Sequence, residues 1–261
     1  MMPSAQPPLT GTHRVVFDAG TARSPAEHAG GVTIVVTVYN YEKFVIETLD
    51  STVTQTFDPL SIVIVEDKGR DRSLELCEAW LAANAMRFKS AWLVQHETNC
   101  GLSAARNTAI SLATTPYVFV LDADNLLYPR CIERCHAFIE ASGSAFAYPV
   151  IERFGAEAGL MGVATWDDEL LSFGNYIDAM ALIRKSAWQM VGGYSLMRTT
   201  GWEDYDLWCK LASHGQHGVR VPMILARYRV HAASLLRTLS KQKIEDLVRE
   251  ISELHPWLKL G

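Results

Sequence analysis

Four short apolar runs in the first half of the chain constrain the fold more than any other feature. They are VTIVVTVY (32–39), SIVIVED (61–67), AWLVQHE (91–97) and PYVFVLDAD (116–124). An unbroken apolar run rich in β-branched residues is typical of a strand that is buried on both faces. Helical stretches separate the runs, and this alternation predicts βαβ units and a mainly parallel sheet.

The pattern predicts an α/β fold in which helices flank the sheet. The helices between the strands are predicted to run from Tyr41 to about Gln55, from about Asp71 to Met86, and from Gly101 to Ala113. Residues 31–125 then form the nucleotide-binding half of a Rossmann-like, doubly wound sheet. Residues 126–240 contain further strand and helix patterns and are predicted to complete the same domain.

The two ends of the chain lie outside this alternating pattern. Residues 1–30 hold three prolines before residue 9 and one short apolar run at Val15–Phe17, so we expect a tail or a loosely attached arm. Residues 241–261 are predicted to be a C-terminal helical segment. Residues 152–175 are glycine-rich, and their pattern predicts no particular element.

Composition and charge exclude several classes of function. The formal net charge of −5 and the pI near 5.9 argue against a nucleic-acid-binding protein, which would carry a basic face. The five cysteines form no CxxC pair, which indicates buried or free thiols. We find neither a membrane-spanning apolar run nor the basic-then-apolar order of a secretory signal. We therefore expect a cytoplasmic protein, and if it acts on a lipid, its contact with the membrane is peripheral.

Polar residues follow the predicted strands at the places where a ligand is expected. In an open parallel sheet, ligands bind beyond the carboxyl ends of the strands. The residues at those ends are Thr37, Tyr39 and Asn40, then Glu66 and Asp67, then His96 to Asn99, and finally Asp122 to Asn125. The first strand is not followed by a GxGxxG sequence, which disfavours a nicotinamide-dependent oxidoreductase.

Asp122 and Asp124 form the most suggestive of these strand ends. Two carboxylates that are two residues apart can present oxygens to one divalent cation, and Mg²⁺ or Mn²⁺ prefers oxygen ligands. Such a cation neutralises charge that develops on a departing phosphate group. The alternative is a polar turn in which Asp124 caps the following helix.

Five motifs in a fixed order resemble a known family. They are TVYN (37–40), IVIVED (62–67), NCGLSAARN (99–107), LDADN (121–125) and GWEDYDLW (201–208). Together they resemble the family 2 glycosyltransferases with the GT-A fold, over about residues 32–235. NCGLSAARN is the most specific of the five, because the others are short.

The resemblance implies an inverting glycosyltransferase that moves a sugar from a nucleoside-diphosphate donor to an acceptor hydroxyl. It also implies Mg²⁺ or Mn²⁺ on the diphosphate and a saccharide or lipid-linked acceptor. Residues 31–125 then correspond to the nucleotide-sugar-binding half and residues 126–240 to the acceptor-binding half.

The resemblance assigns roles to individual residues. Those implied in binding the nucleotide sugar are Thr37, Tyr39, Asn40, Asp67, Arg106 and Asp122. Packing at the strand end is the alternative for Tyr39. For Arg106, which the resemblance pairs with a diphosphate or a carboxylate, the alternative is an ordinary charge on a helix surface.

Glu203 and Asp204 match the catalytic acidic pair of the family, and Asp204 corresponds to its general base. Inversion needs a base that takes the proton of the acceptor hydroxyl from the side opposite the leaving group. The alternative is that both acids merely complement a helix dipole. His231 is a candidate ligand of the metal together with Asp124 and Asp122, or else a structural histidine. Arg229 and Arg237 are weaker candidates for binding the phosphates.

One departure from the family and two competing hypotheses stay open. Where the family usually reads Asp-Asp-Gly-Ser, this chain reads Glu66-Asp67-Lys68-Gly69, which affects recognition of the base and ribose. A sugar-nucleotide pyrophosphorylase is disfavoured because TVYNYEKF (37–44) lacks a glycine-rich loop. A non-catalytic module that binds nucleotide sugars is disfavoured by the intact acids in LDADN (121–125) and at Asp204.

Overall fold

The computed structural model describes residues 10–20, 30–231 and 241–260. These residues form one mixed sheet with helices packed on it. The ten strands of the described residues are β1 (His13–Ala19), β2 (Val32–Val38), β3 (Leu60–Glu66), β4 (Ala91–His96), β5 (Tyr117–Asp122), β6 (Leu126–Leu127), β7 (Phe146–Gly155), β8 (Gly159–Met161), β9 (Leu182–Arg184) and β10 (Gly218–Val230).

Eight α-helices lie among the same residues. They are α1 (Val45–Val53), α2 (Ser73–Asn84), α3 (Leu102–Leu112), α4 (Cys131–Ser142), α5 (Asp168–Phe173), α6 (Lys185–Met190), α7 (Glu203–Ser213) and α8 (Lys241–Leu254). A short 3₁₀ turn at Ala85–Arg87 follows α2. Among the described helices, none is both long enough and apolar enough to cross a membrane.

The strand order is β1-β4-β3-β2-β5-β9-β7-β10-β6, and β8 pairs with β7 outside this order. Strands β2 to β5 run parallel to one another, which confirms the predicted α/β fold class. β9 lies antiparallel between β5 and β7, and β7 is parallel to β10. One sheet therefore runs through both predicted halves, and the boundary at residue 125 stays a prediction.

The apolar runs are continuous because the strands are covered on both faces. Val32, Ile34 and Val36 of β2 pack into one hydrophobic cluster. Val35, between them, packs into a second cluster. Successive side chains of a strand point to opposite faces, so a strand buried on both sides needs apolar residues at every position.

The register of the parallel strands gathers polar residues at one edge of the sheet. Thr37 of β2 pairs with Asp122 of β5, and Val38 pairs with Glu66 of β3. Parallel strands in register end together, so the turns that follow these strands lie side by side. This edge carries the candidate site.

Part of the predicted N-terminal tail is a strand. β1 pairs antiparallel with β4, from His13 opposite His96 to Ala19 opposite Ala91. The expectation of a tail or arm over residues 1–30 is therefore wrong for this strand. The strand forms because it pairs with β4 at the edge of the sheet, and such long-range pairing needs no amphipathic pattern in the sequence. Residues 1–9 and 21–29 lie outside the described residues.

The second half contains elements that the sequence pattern does not resolve. β7 extends to Gly155, β8 returns beside it over three paired residues, and α5 follows at Asp168. The predicted helix after Tyr41 begins only at Val45, because residues 41–44 form a turn. Residues 241–254 are helical, as predicted.

Candidate active site

A cavity of about 880 Å³ opens beyond the carboxyl ends of β2 and β3. Its described lining includes four of the six residues that are predicted to bind the nucleotide sugar: Thr37, Tyr39, Asn40 and Asp67. The side chain of Tyr39 is 43% exposed, so packing at the strand end does not explain it. We call this space the large cavity.

Reciprocal hydrogen bonds join the two turns that form one wall of the large cavity. The N–H groups of Arg70 and Arg72 donate to Asn40 Oδ1 at 2.7 Å and Glu42 Oε2 at 3.0 Å. In the other direction, the N–H groups of Glu42 and Tyr41 donate to side chains of the second turn. Each turn therefore satisfies the backbone of the other, and the wall is held in one conformation.

The motif that departs from the family pattern has a specific backbone geometry. Lys68, which stands where the family has glycine, adopts φ of 58°, in the left-handed region that favours glycine. Gly69 takes the next position, where an added Cβ would lie 2.8 Å from Glu66 Oε1. The Gly69 N–H donates to that same oxygen. A larger residue at position 69 would therefore displace the carboxylate of Glu66.

Asp67 organises the loop between β4 and α3. Its buried carboxylate accepts from the N–H groups of Cys100 and Gly101, both at 2.8 Å, and from Asn99 Nδ2 at 3.1 Å. His96 Nδ1 donates to it at 2.6 Å. A carboxylate has about four acceptor positions, and protein donors use all of them here. Direct contact between Asp67 and a base stays a prediction, whereas its contact with this loop is observed.

Asp67, His96 and Cys100 also place potential metal-ligand atoms within 4.8 Å of one another. However, both ring nitrogens of His96 already have partners, because Nε2 lies 3.0 Å from the hydroxyl oxygen of Thr108. The carboxylate of Asp67 is fully occupied as well. We therefore interpret this group as a hydrogen-bonded cluster that supports the loop.

A second, smaller cavity of about 130 Å³ adjoins the first and shares Thr37, Tyr41 and Leu102 with it. Within the described part of the chain, its lining contains five carboxylates and one guanidinium. These residues are Asp122, Asp124, Asp178, Glu203, Asp204 and Arg106. We call this space the small cavity. Its excess of negative charge is its main electrostatic property.

Arg106 is the cation of the small cavity. It is 3% exposed, so the alternative of an ordinary surface charge is wrong. Its Nη2 donates to Asp122 Oδ1 at 2.8 Å, and the guanidinium lies 5.4 Å from the ring centre of Tyr194. Burial acts against the charged form, but Asp122, Tyr194 and Glu203 raise the pKa of Arg106 above its ordinary value. Arg106 therefore stays charged although it is buried.

Asp124 and His231 meet at the boundary between the cavities. His231 Nε2 lies 2.9 Å from Asp124 Oδ2, and its ring lies 4.8 Å from that of Phe44. Burial and then the charge of Asp122 raise the pKa of Asp124, whereas His231 lowers it. Helix α4 begins at Cys131 without a side-chain cap, so Asp124 does not cap it.

Arg229 supports the same boundary from β10. Its Nε donates to the carbonyl oxygen of Asp124 at 2.9 Å, and its N–H donates to Asn125 Oδ1 at 2.9 Å. The guanidinium also pairs with Glu47. Arg229 therefore fixes the turn after β5, and phosphate binding by it stays a prediction. Arg237 lies outside the described residues.

Glu203 and Asp204 occupy the first turn of α7, beside Arg106. Glu203 Oε2 accepts from the Gly201 N–H at 3.0 Å, and Asp204 Oδ2 accepts from Asn175 Nδ2 at 3.1 Å. Burial raises the pKa of Asp204 to about 6, Arg106 lowers it, and Glu203 raises it. Both predicted acids thus lie in the small cavity, and complementing the helix dipole is compatible with that position.

Comparison with known proteins identifies the family. The sequence model of the family described as "Glycosyl transferase family 2" matches residues 33–206, the greater part of the chain. The chain belongs to glycosyl transferase family 2. This matched segment includes every predicted site residue except His231 and the weaker candidates Arg229 and Arg237.

Two relatives are matched over most of their length. The chain is 25% identical over 225 residues to the putative glycosyltransferase EpsE of Bacillus subtilis, covering 83% of this chain and 79% of the relative. It is 24% identical over 230 residues to the UDP-Glc:alpha-D-GlcNAc-diphosphoundecaprenol beta-1,3-glucosyltransferase WfaP of Escherichia coli, covering 85% of each. Like these relatives, this family 2 protein is a glycosyltransferase.

Solved structures show the same fold. TarS of S. aureus with UDP-GlcNAc is similar with a TM-score of 0.72 and 16% identity, over 88% of this chain and 68% of that one. The mannosyltransferase PcManGT of Pyrobaculum calidifontis with GDP-Man and Mn²⁺ has a TM-score of 0.63 and 16% identity, over 87% and 71%. At these identities the likeness shows the GT-A fold alone.

The residue types at the cavity boundary suit a divalent cation of the kind that the family implies, but among the described residues of this structure Asp122, Asp124 and His231 are not gathered into one set of ligand atoms. Oxygen atoms of Asp122 and Asp124 and a nitrogen of His231 are suitable ligands. Burial and then the charge of Asp122 raise the pKa of Asp124. Burial and then the charges of Asp124 and Asp122 raise the pKa of Tyr41, so negative charge accumulates at this place. A cation at this place would compensate that charge.

Asp178 is a site residue that the sequence analysis misses. It precedes the antiparallel strand β9, so it belongs to no motif and to no parallel strand end. Its Oδ1 accepts from the Met180 N–H at 2.9 Å. The pKa of Asp178 is raised to about 7, chiefly by burial and then by the charges of Asp122 and Asp204. The spacing of the family motifs carries no signal for this residue.

We expect Asp178→Asn to stabilise the enzyme at pH 8 and to have no effect at pH 4. A carboxyl whose pKa is raised from 3.8 to about 7 on folding opposes folding once it must ionise. Stability is therefore lost as the pH rises between these two values, and asparagine avoids the loss. The increase in Tm at pH 8 should be roughly 2–6 °C. An equal shift at pH 4 and pH 8 in calorimetry would contradict an electrostatic origin.

Proposed function

We propose that this family 2 enzyme is an inverting glycosyltransferase that uses a nucleoside-diphosphate sugar. The sugar passes to a hydroxyl of a saccharide or lipid-linked acceptor, with Mg²⁺ or Mn²⁺ on the diphosphate. One observation carries the proposal: acids from β5, from the segment before β9 and from α7 converge on a small cavity that adjoins a large one.

The two cavities suggest how the donor lies. The large cavity has the size of a ligand pocket, and Thr37, Tyr39, Asn40 and Asp67 in its lining are predicted to bind the nucleotide sugar. The shared boundary at Thr37 and Tyr41 suits the diphosphate, and the small cavity then receives the transferred sugar. Arg106, held by Asp122, places a fixed positive charge beside that sugar.

The metal site of the proposal consists of Asp122, Asp124 and His231. When bound, the cation neutralises charge on the departing diphosphate. The protein supplies these ligands from two strand ends, because Asp122 ends β5 and Asp124 follows it, whereas His231 follows β10. Arg229 fixes the backbone between them through its bond to the carbonyl of Asp124.

Asp204 is the proposed general base. The acceptor oxygen forms a bond to the anomeric carbon while the bond from that carbon to the diphosphate breaks, and the hydroxyl proton passes to Asp204. Its pKa of about 6 leaves the carboxylate ionised at neutral pH yet makes it a stronger base than an ordinary aspartate. Asn175 and the Tyr205 N–H orient it. Glu203, beside it, holds the turn at Gly201.

Names of related proteins support the ligand classes. WfaP is named for a UDP-glucose donor and a diphosphoundecaprenol-linked acceptor. TarS was solved with UDP-GlcNAc, and PcManGT with GDP-Man and Mn²⁺. These ligands belong to those proteins, and for this chain they define the panel to be tested.

A donor screen tests the proposal. The purified enzyme is incubated with UDP-Glc, UDP-GlcNAc or GDP-Man, each with a prenyl-diphosphate-linked GlcNAc or a free saccharide, and release of nucleoside diphosphate is measured. We expect acceptor-dependent release that EDTA abolishes and Mn²⁺ or Mg²⁺ restores, because the leaving diphosphate needs charge compensation. NMR of the product should show the inverted anomeric configuration.

Three outcomes would contradict this proposal. Retention of the anomeric configuration would exclude single displacement with Asp204 as base. Pyrophosphate formation from a nucleoside triphosphate and a sugar phosphate would indicate a pyrophosphorylase. Tight nucleotide binding without turnover across the panel would indicate a non-catalytic binding module.

A further inference from the structure

Residues 195–201, which we call the wall loop, connect the two cavities to α7. Arg198, Thr199 and Thr200 line the large cavity, and Gly201 lines the small one. The loop then leads directly into Glu203 and Asp204. Its conformation therefore affects both the donor pocket and the start of α7.

A carboxylate from α8 holds the middle of the wall loop. Glu250 Oε1 accepts from the Arg198 N–H at 2.7 Å, and Oε2 accepts from the Thr199 N–H at 2.9 Å. Glu250 is only 6% exposed. Two successive backbone N–H groups thus share one buried carboxylate, and hydrogen bonds to an ionised acceptor are among the stronger ones in proteins.

Helix α8 is itself firmly attached to the domain. Leu247 and Ile251 are fully buried, and Ile251 belongs to the same hydrophobic cluster as Tyr205 of α7. Just after the helix, His255 Nε2 lies 2.8 Å from Asp206 Oδ1, and both residues are buried. Glu250 is therefore presented to the wall loop from a fixed support.

We propose that Glu250 is a positioning residue for donor binding, which it controls by fixing the wall loop. It does not itself line either cavity among the described residues, so it acts through Arg198, Thr199 and Thr200. The inference rests on the proposed function of the large cavity as the donor site. Helix α8 already lines the large cavity through Lys243 and Asp246, and the inference adds a role for a residue of this helix that lies outside the lining, beyond the segment that matches the family.

The matched control is Glu253, one turn further along α8. Glu253 Oε2 accepts from Arg198 Nη2 at 2.6 Å, but the two side chains are 56% and 71% exposed. An exposed ion pair of this kind contributes little to stability. Glu253 thus has the same charge and the same neighbouring residue as Glu250, but it does not bind the loop backbone.

The test compares Glu250→Ala, Glu250→Gln and Glu253→Gln. Binding of UDP and of GDP is measured by calorimetry with Mn²⁺, and donor KM and kcat are measured with the donor that the screen identifies. We expect Glu250→Ala, which leaves two N–H groups without their acceptor, to raise the Kd and donor KM about tenfold. Glu250→Gln keeps one acceptor oxygen and should have a smaller effect, and Glu253→Gln should resemble the wild type.

Hydrogen exchange separates positioning from loss of fold. In Glu250→Ala, the amides of Arg198 and Thr199 should lose protection while those of β2 and β3 keep it. Unchanged Kd and KM in a Glu250→Ala protein that remains folded would overturn the proposal. If the wild type binds neither nucleotide, the proposed function fails instead. In that case, hydrogen exchange at the amides of Arg198 and Thr199 still shows whether Glu250 fixes the wall loop.

Discussion

Asp204→Asn is expected to lower kcat by about a hundred- to ten-thousand-fold while leaving donor affinity unchanged. Asparagine keeps the shape of the side chain and an oxygen that can accept from the Tyr205 N–H. It cannot take the proton of the acceptor hydroxyl. Single-turnover rates measure the chemical step, and calorimetry with the nucleotide sugar measures the affinity. Turnover near the wild-type rate would remove Asp204 as the base.

The pH dependence gives an independent check on the same residue. Since the pKa of Asp204 is about 6, the base is ionised above that pH and protonated below it. We expect kcat/KM of the wild type to be level above pH 7 and to fall roughly tenfold per pH unit below 6. The residual activity of Asp204→Asn should not show this fall below pH 6. If kcat/KM of Asp204→Asn fell in the same way below pH 6, the titration would belong to another group.

Asp124→Asn is expected to have the second large effect, which is a loss of nucleotide binding. Asp124 lines the small cavity and lies beside His231, which lines the large one, so it would be one of the residues that hold the proposed cation. Loss of its charge should weaken nucleotide binding at least about tenfold and reduce kcat/KM about a thousandfold. The remaining affinity should also respond much less to Mn²⁺. Titrations of UDP or GDP with and without Mn²⁺ measure this directly.

Asp18→Asn is a suitable control for Asp124→Asn. Asp18 is exposed on β1 and pairs with Trp92 near the start of β4, at the end of the sheet away from the site. The same chemical change there should leave the Mn²⁺ dependence as it is in the wild type. A full Mn²⁺ response in Asp124→Asn would contradict its role as a metal ligand.

Much of the first half of the fold could be predicted, because β2 to β5 are buried on both faces. Burial on both faces leaves a continuous apolar run in the sequence, and such runs are easy to recognise. β1 leaves only the short apolar run Val15–Phe17, because it pairs along an edge of the sheet and Val15 is largely exposed. β8 is likewise defined by pairing with β7 over three residues, which no local pattern encodes.

The residues of the candidate site likewise fall into those that the sequence predicts and those that it does not. Residues at parallel strand ends, such as Thr37 and Asp122, were predictable because register brings them together. Asp178 was not, since an antiparallel strand delivers it to the small cavity. Glu250 was not predictable either, because its contact with the wall loop depends on where helix α8 packs against the domain. Sequence spacing reports local geometry, whereas these two residues reach the site through tertiary packing.

Strand β1 also has a consequence for the behaviour of the protein in solution. Without it, β4 would expose a straight row of unpaired backbone groups, which is a template for self-association. β1 covers that row, and its own outer side is poorly suited to recruit another chain. Its register is irregular between Val15 and Phe17, and it carries the charged residues Arg14 and Asp18. Shortened versions that lack this strand should therefore aggregate even where the catalytic residues are intact.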